Sequence, residues 1–266
     1  MNLADFDIIL INTSAGKDSQ AMLHTIIGMA RAAGVLDRVQ AVHCDLGRVE
    51  WKGTKELAAE HCAHYGVPLH IVRRESGDLL DQVEARGMWP DNKNRYCTSD
   101  QKRDQVAKLL TALVNKFIAE KFNGESRPVR VLNCLGLRAE ESSARAKKPE
   151  FQANKRITNG KREVFDWLPI HAWKLADVWK CIKESGVKYH YAYDLGMPRL
   201  SCCFCVFASE AALMIAGKHN PELLTEYVRV EEKTGHDFRH GFKIASIKAR
   251  LDVGEQPPTK APSWTM

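Results

Sequence analysis

Apolar and polar residues alternate along the first half of the chain in blocks whose lengths suit strands and helices in turn. Residues 6–13, FDIILINT, form an apolar run that ends in small residues, the pattern of a central parallel strand buried on both faces. The next segment, SAGKDSQAMLHTIIGMARAAG, places apolar positions at helical spacing and reaches Gly34 as its stop. The same reading predicts a strand at 38–44 (RVQAVHC) ending at Asp45, a helix at 51–65 and a strand at 67–73 (VPLHIVR). After a loop holding Trp89 and Pro90, a helix is expected from about Ser99 to Phe122, then a fourth strand at 129–136 (VRVLNCLG).

Strand and helix in alternation imply an α/β fold, a doubly wound and mostly parallel sheet. Beyond residue 163 the pattern turns helical, at 172–185, 209–217 and 221–234. The expected organisation is an α/β nucleotide-binding domain over 1–162, a helical lobe over 163–250 and an irregular Pro-rich tail over 251–266. In doubly wound sheets ligands sit outside the carboxyl ends of the strands, where strand order reverses. The turn at 14–19, Asp45 and the segment after Gly136 all follow predicted strand ends, so they are the candidates to form a site.

Composition narrows the function classes. The 266 residues carry the apolar and charged fractions of an ordinary soluble protein, and no apolar run is long enough to cross a bilayer. The start, MNLADFDIILINTS, lacks the basic leader and long apolar core of a secretory signal, so a cytoplasmic protein is expected. Net charge is +6 and unevenly spread. Residues 138–162 hold Arg138, Arg145, Lys147, Lys148, Lys155, Arg156, Lys161 and Arg162 against Glu140, Glu141 and Glu150. Such a stretch is either a solvated loop or a surface for a polyanion. Of the cysteines, Cys44, Cys62, Cys134 and Cys181 sit singly in apolar or helical stretches and read as packing residues.

The sharpest chemical signal is Ser14-Ala15-Gly16-Lys17-Asp18-Ser19, between a strand and a helix. Small residues let backbone approach an anion closely, and the first N–H groups of the helix then point at it, aided by the helix dipole. Ser14 and Ser19 add hydroxyl donors and Lys17 a compensating charge, while Asp18 suits orientation of the turn or Mg²⁺. A helix start capped by Ser14 is the plainer reading. A Walker A loop is excluded, because the positions that motif needs as Gly and Ser or Thr hold Ile11 and Asp18.

The turn resembles the Ser-x-Gly-x-Asp-Ser PP-loop of the ATP pyrophosphatases, in the adenine nucleotide alpha hydrolase-like superfamily. That resemblance implies a grip on the β,γ-pyrophosphate of ATP and chemistry at the α-phosphorus. Further segments resemble the phosphoadenosine phosphosulfate (PAPS) reductase-like branch. His43-Cys44-Asp45-Leu46-Gly47-Arg48-Val49-Glu50-Trp51 is similar to its Asp-x-Gly-x-x-Glu segment, which implies that Asp45 lies near the nucleotide's sugar or metal ion; an N-cap is the other reading. Gly136-Leu137-Arg138-Ala139-Glu140-Glu141-Ser142-Ser143-Ala144-Arg145 is similar to its Gly-x-Arg-x-x-Glu-Ser-x-x-Arg element. Arg138 and Arg145 then suit phosphate binding, and Gly136, Glu141 and Ser142 complete the expected nucleotide site. Pairing of the arginines with Glu140 or Glu141 is the competing reading. Trp167-Leu168-Pro169-Ile170, Trp173 and Trp179 resemble family segments read as packing.

Ser201-Cys202-Cys203-Phe204-Cys205 holds a C-x-x-C pair, a pattern shared by zinc, redox and iron–sulfur sites. The resemblance implies a [4Fe–4S] cluster on Cys97, Cys202 and Cys205, with Tyr96-Cys97 standing where assimilatory reductases have a Cys-Cys pair. Cys203, Cys134 or an open iron position remain as the fourth ligand, with zinc or a metal-free pair as the other outcomes.

PAPS reductases use a mobile cysteine near the C-terminus, and residues 206–266 contain none. The expectation is therefore ATP cleavage to AMP and pyrophosphate with Mg²⁺, in which Lys17, Asp18, Arg138 and Arg145 support attack on the α-phosphorus. By resemblance the chain stands nearest the DndC/SspD-type DNA phosphorothioation proteins. That implies a nucleic-acid partner, DNA favoured over tRNA, a cysteine desulfurase as sulfur donor and further modification-system subunits, with no membrane. A sulfonucleotide reductase using an external thiol, a tRNA-thiolating enzyme and a zinc-bearing nucleic-acid binder are the alternatives.

Overall fold

The computed structural model describes residues 1–121 and 127–261; Phe122, the expected end of one helix, and the last five residues of the expected tail lie outside the described residues. In chain order the elements are β1 (Ile8–Thr13), α1 (Lys17–Ala32), β2 (Val39–Cys44), α2 (Thr54–Tyr65), β3 (Leu69–Val72), α3 (Leu79–Arg86), a single turn α4 (Tyr96–Thr98), α5 (Asp104–Lys121) and β4 (Val129–Cys134). They continue with α6 (Ser143–Ala146), β5 (Phe151–Ala153), β6 (Arg162–Trp167), α7 (Leu175–Ser185), α8 (Glu210–His219), α9 (Pro221–Thr234) and α10 (Ile244–Asp252). Two compact units result, and both are discontinuous in sequence.

The first unit, residues 1–44, 55–72 and 106–189, contains the sheet, in the order β3-β2-β1-β4-β6-β5. All neighbours are parallel except β5, which runs antiparallel on β6. The α/β, mostly parallel architecture is the expected one. β1 is buried on both faces because its alternate residues serve two cores. Ile9 and Ile11 pack with Met22, Leu23, Ile26 and Ile27 of α1, whereas Ile8 and Leu10 pack with Leu110 and Val114 of α5. Burying each of these four β1 side chains stabilises the unit by about 1.5–3 kcal/mol.

A polar ladder crosses the same strands. Asn12 Nδ2 donates to Asn133 Oδ1 at 2.8 Å, Asn133 Nδ2 donates to Asp166 Oδ1 at 2.7 Å, and Asn154 Nδ2 reaches both Asp166 oxygens at 3.0 Å. Slipping β1, β4 or β6 by one residue would strand these groups, of which Asn133 is buried and the others half-buried, so the ladder pins the register.

The second unit comprises residues 45–54, 73–105 and 190 onward. Its core joins Trp51, Leu80, Trp89, Phe204, Tyr227 and Phe238 to apolar residues of α8, α9 and α10. Glu231, 4% exposed, ties this core together: Oε1 accepts from the N–H groups of Phe238 and Ile244, both at 2.8 Å, and Oε2 from Ala245 at 3.1 Å. Ile244 and Ala245 open α10, so a buried carboxylate satisfies the first amides of that helix.

These units differ from the contiguous 1–162, 163–250 and 251–266 division expected from sequence. The boundary at 162 falls at the first residue of β6, a strand of the sheet. α7 belongs with the sheet because Val178, Cys181 and Ile182 pack on Ala21 of α1. Conversely, residues 45–54 and 73–105 build the core that holds α8–α10. α10 runs on to Asp252, past the expected start of the tail. Among the described residues no helix is long and apolar enough to cross a membrane.

Candidate active site

β1 is the strand from which the chain first moves to one side of the sheet, to β2, and later to the other, through β4. A crevice at the carboxyl ends of β1 and β4 is therefore the switch point of this sheet. Two segments leave from there, the turn Ser14-Ala15-Gly16 into α1 and the segment from Leu135 to Arg138. Both lie in the first unit.

The turn is strained and internally braced. Ala15, fully buried, has φ +53°, the left-handed region that costs an L-residue about 1–2 kcal/mol. No other non-glycine residue among those described adopts it. Thr13 Oγ1 accepts the Ala15 N–H at 3.3 Å. Ser19 Oγ accepts the Ser14 N–H at 3.1 Å and donates to the Gly16 carbonyl at 2.9 Å, clamping the turn onto the helix it opens. Gly16 is the N-cap of α1, and a glycine brings no side chain of its own to cap that end. The plainer reading, with Ser14 as cap, is thus not what the chain adopts. A 16-residue helix instead presents its positive end, with glycine at its cap, at a switch point.

Gly136 shows how tightly the second segment approaches. A Cβ there would stand 3.2 Å from the Asp18 carbonyl carbon and oxygen and from the Ser19 nitrogen. Arg138, 4% exposed, crosses from this segment to α1 and donates through Nε to Asp18 Oδ1 at 2.6 Å. Asp18 also pairs with Lys17 at 3.3 Å. Burial pushes the Asp18 carboxyl upward, but the charges of Lys17 and Arg138 outweigh it and hold the group below the ordinary carboxylate range. Asp18 therefore braces the turn as an anion between two cations.

The network continues outward. Arg138 donates through Nη1 to Glu140 at 2.6 Å, and Glu140 accepts the N–H of Leu175, the first residue of α7, at 2.8 Å. Glu141 accepts the Arg138 N–H at 3.1 Å and pairs with Arg145. Ser142 Oγ caps the short helix α6 through the Arg145 N–H at 3.2 Å. The structure thus brings Ser14–Ser19, Gly136, Arg138, Glu141, Ser142 and Arg145 into one connected region, with both arginines ion-paired to carboxylates. The competing reading from sequence, arginines paired with Glu140 or Glu141, is the arrangement found; the further link from Glu140 to α7 was not foreseen, since it depends on a residue 35 positions away.

Asp45 follows β2 and lies in the second unit, where its carboxylate accepts the Gly47 N–H at 2.8 Å. The basic stretch 138–162 divides on burial. Arg138 and Arg162 are buried, Arg162 donating to the Ile157 carbonyl at 2.7 Å and to Thr111 at 2.8 Å. Lys147, Lys148, Lys155, Arg156 and Lys161 are exposed, and the ring of Phe151 on β5, which stacks on Phe165, is half-exposed.

Cys97, Cys202, Cys203 and Cys205 are free thiols in the second unit. An antiparallel bridge between Glu50 and Cys202, with the Cys203 N–H donating to the Val49 carbonyl at 2.8 Å, holds the cysteine segment in place. Burial pushes the Cys202 and Cys205 thiols up; Cys205 and Cys97 raise Cys202 further, Cys97 raises Cys205 against a backbone hydrogen bond at Phe207, and Lys102 lowers both. Cys203 is fully buried in the core. Cys134, the other candidate fourth ligand, is buried in the sheet unit, its thiol directed to the Leu132 carbonyl at 3.9 Å. Among the described residues no three or more Cys, His, Asp or Glu side chains are gathered as a ready-made metal site. The donor type nonetheless suits a sulfur-ligated group, since Cys97, Cys202 and Cys205 all offer thiols and lie in the same unit.

Comparison with known proteins places these features in a family. The model of the phosphoadenosine phosphosulfate reductase domain matches residues 8–208, from the first residue of β1 to just beyond Cys205. The chain belongs to this family. Similar curated proteins are an uncharacterized protein of Methanocaldococcus jannaschii, 26% identical over 85% of this chain and 49% of that protein, and an uncharacterized 37.8 kDa protein of Escherichia phage 186, 31% identical over 66% and 47%. The chain spans about half the length of these curated relatives. Among solved structures it is similar to a PAPS reductase of Candida auris, with 19% identity, a TM-score of 0.44, and coverage of 75% of this chain and 83% of that one. The PAPS reductase domain here carries both the turn and the late C-x-x-C within the matched residues.

Proposed function

We propose that this PAPS reductase-domain protein cleaves ATP to AMP and pyrophosphate, and that it adenylates a nucleic-acid phosphate, with DNA favoured over tRNA, for replacement of oxygen by sulfur. The observation that carries this reading is the α1 N-terminus with glycine at its cap, clamped by Ser19 and braced by Asp18 and Arg138. Its amides and dipole suit the leaving pyrophosphate, where negative charge accumulates as the α–β bond breaks. Lys17 supplies compensating charge beside it. Mg²⁺ arrives on the phosphates of ATP, and Asp18, already shared by Lys17 and Arg138, supports the turn.

A non-bridging oxygen of the acceptor phosphate attacks the α-phosphorus and pyrophosphate departs. Sulfide then attacks the activated phosphate and AMP leaves with the displaced oxygen, with no net oxidation. The exposed Lys147, Lys148, Lys155, Arg156 and Lys161 suit a phosphodiester backbone, and the Phe151 ring suits a base stacked against it. Cys97, Cys202 and Cys205 would hold a [4Fe–4S] cluster, which supplies an iron position able to accept sulfide. A cysteine desulfurase is the matching sulfur source, and further modification subunits the matching partners.

Protein purified without oxygen is assayed for iron and for pyrophosphate release from ATP with DNA, with tRNA and with neither. DNA-stimulated release that falls when the five exposed cations are changed to Gln supports the reading. Sulfite release from PAPS or adenosine phosphosulfate, without ATP cleavage, would replace it with the sulfonucleotide reductase that the family's own description favours. Stimulation by tRNA alone would move the acceptor.

A further inference from the structure

The polar ladder across β1, β4 and β6 does more than hold register, because its chemistry fixes which way each amide faces. Asp166 on β6, as a carboxylate, can only accept. Asn133, its direct cross-strand partner on β4, must therefore turn Nδ2 toward it, at 2.7 Å. Asn154 donates to both Asp166 oxygens at 3.0 Å and holds the carboxylate in place. Asn133 Oδ1 is then left to face β1, and Asn12 can meet it only with Nδ2, at 2.8 Å. The other Nδ2 hydrogen of Asn12 goes to the Cys134 carbonyl at 3.1 Å, a second group that can only accept. Both donors of Asn12 are thus used, and its Oδ1 accepts no hydrogen bond among the described residues. Asn133 is 6% exposed, whereas Asn12 is only half-buried, so the relay ends where a ligand can reach it.

That open acceptor stands two residues before Ser14, about 7 Å along the strand, at the crevice where the phosphate turn begins. The four β1 residues before it are apolar and buried, so Asn12 marks the change from core to crevice. Phosphate oxygens are acceptors and have no hydrogen to give it. The groups of a nucleotide that do are the sugar hydroxyls and the amine of adenine. We infer that Asn12 is a specificity-determining residue for the nucleoside part of ATP, its Oδ1 accepting a hydrogen from a nucleoside hydroxyl or amine. Asp166 is the positioning residue that orients it through Asn133. This rests on the ATP reading proposed above.

The test is calorimetric titration, with Mg²⁺, by a non-hydrolysable ATP analogue and by its 2′-deoxy, 3′-deoxy and amine-lacking counterparts. Wild type is expected to bind one of these counterparts about five- to tenfold more weakly than the parent, the effect of one neutral hydrogen bond. Which one it is names the donor. In Asn12→Ala that ratio is expected to fall to within about twofold of unity. Asp166→Asn lets the chain of amides reverse, so it is expected to erase the same ratio without touching Asn12. Inorganic pyrophosphate, which has no nucleoside, is expected to bind wild type and both variants alike, and Asp166→Asn decides if Asn12→Ala alone fails to bind it. A wild-type ratio near unity for every counterpart, or one that survives in either variant, overturns the inference and leaves the phosphate seat standing. Loss of pyrophosphate binding in both variants makes the ladder purely structural and overturns it as well. Wild-type protein that binds neither the parent analogue nor pyrophosphate overturns the ATP reading and this inference with it.

Discussion

Asp18→Asn removes one negative charge from the centre of the phosphate turn while keeping the side chain's shape. Asp18 accepts a 2.6 Å bond from Arg138 and pairs with Lys17 at 3.3 Å, and the side chains of Asp18 and Arg138 are 16% and 5% exposed. A hydrogen bond to a charged group contributes about 1.5–3 kcal/mol, and orphaning a buried charge costs about 3–5 kcal/mol. Arg138 keeps Glu140 in the variant, so the lower range applies, roughly 2–3 kcal/mol. For a unit of this size that lowers Tm by roughly 4–12 °C at pH 7. The sign of the pH dependence follows from the direction of the shift. Asp18 is held below its ordinary value of 3.8, so its contribution is complete above that pH and is lost as pH falls through the lower, folded value. Thermal unfolding of both proteins from pH 7 downward should show a constant gap that closes only below about pH 4. A gap under about 0.5 kcal/mol at pH 7, or one that widens on acidification, refutes the bracing role of Asp18.

Gly136→Ala places a methyl 3.2 Å from the backbone of Asp18 and Ser19, and it should cut pyrophosphate release at least tenfold while the sheet unfolds within about 1–3 kcal/mol of wild type. Wild-type turnover in that variant would show that the approach is unimportant. Ser19→Ala removes both halves of the clamp on Ser14 and Gly16, so ATP affinity should fall by about 1–2 kcal/mol in calorimetric titration, and unchanged affinity would count against the clamp. Glu231→Ala leaves three buried N–H groups without their acceptor, and it should speed amide exchange in α9 and α10 with β1 and β4 unaffected. Equal protection in both proteins would contradict the role given to Glu231.

The strand–turn–helix at the start was legible because it is local: a buried strand on both faces reads as an apolar run, and small residues mark the turn after it. β2, β3 and β4 were legible for related reasons. β6, Arg162–Trp167, escaped because Glu163 and Asp166 interrupt its pattern, and β5 because all three of its residues are exposed at the sheet edge. α3 and α10 are short helices with little room to show a period. The loss of Arg162 from the basic surface was not readable, since its burial depends on Thr111 of α5, distant in sequence. The interleaving of the two units was equally hidden, because it depends on which core the segments 45–54 and 73–105 join.

The α1 N-terminus is the proposed seat of the ATP phosphates. Titration of ¹⁵N-labelled protein with Mg²⁺ and a non-hydrolysable ATP analogue, read amide by amide, examines that seat directly. The largest shifts are expected at Gly16 to Ser19 and at Gly136 to Arg138, saturating together and absent in Asp18→Asn at the same concentration. Saturable shifts centred elsewhere, with the amides of Gly16 to Ser19 unmoved, would contradict it.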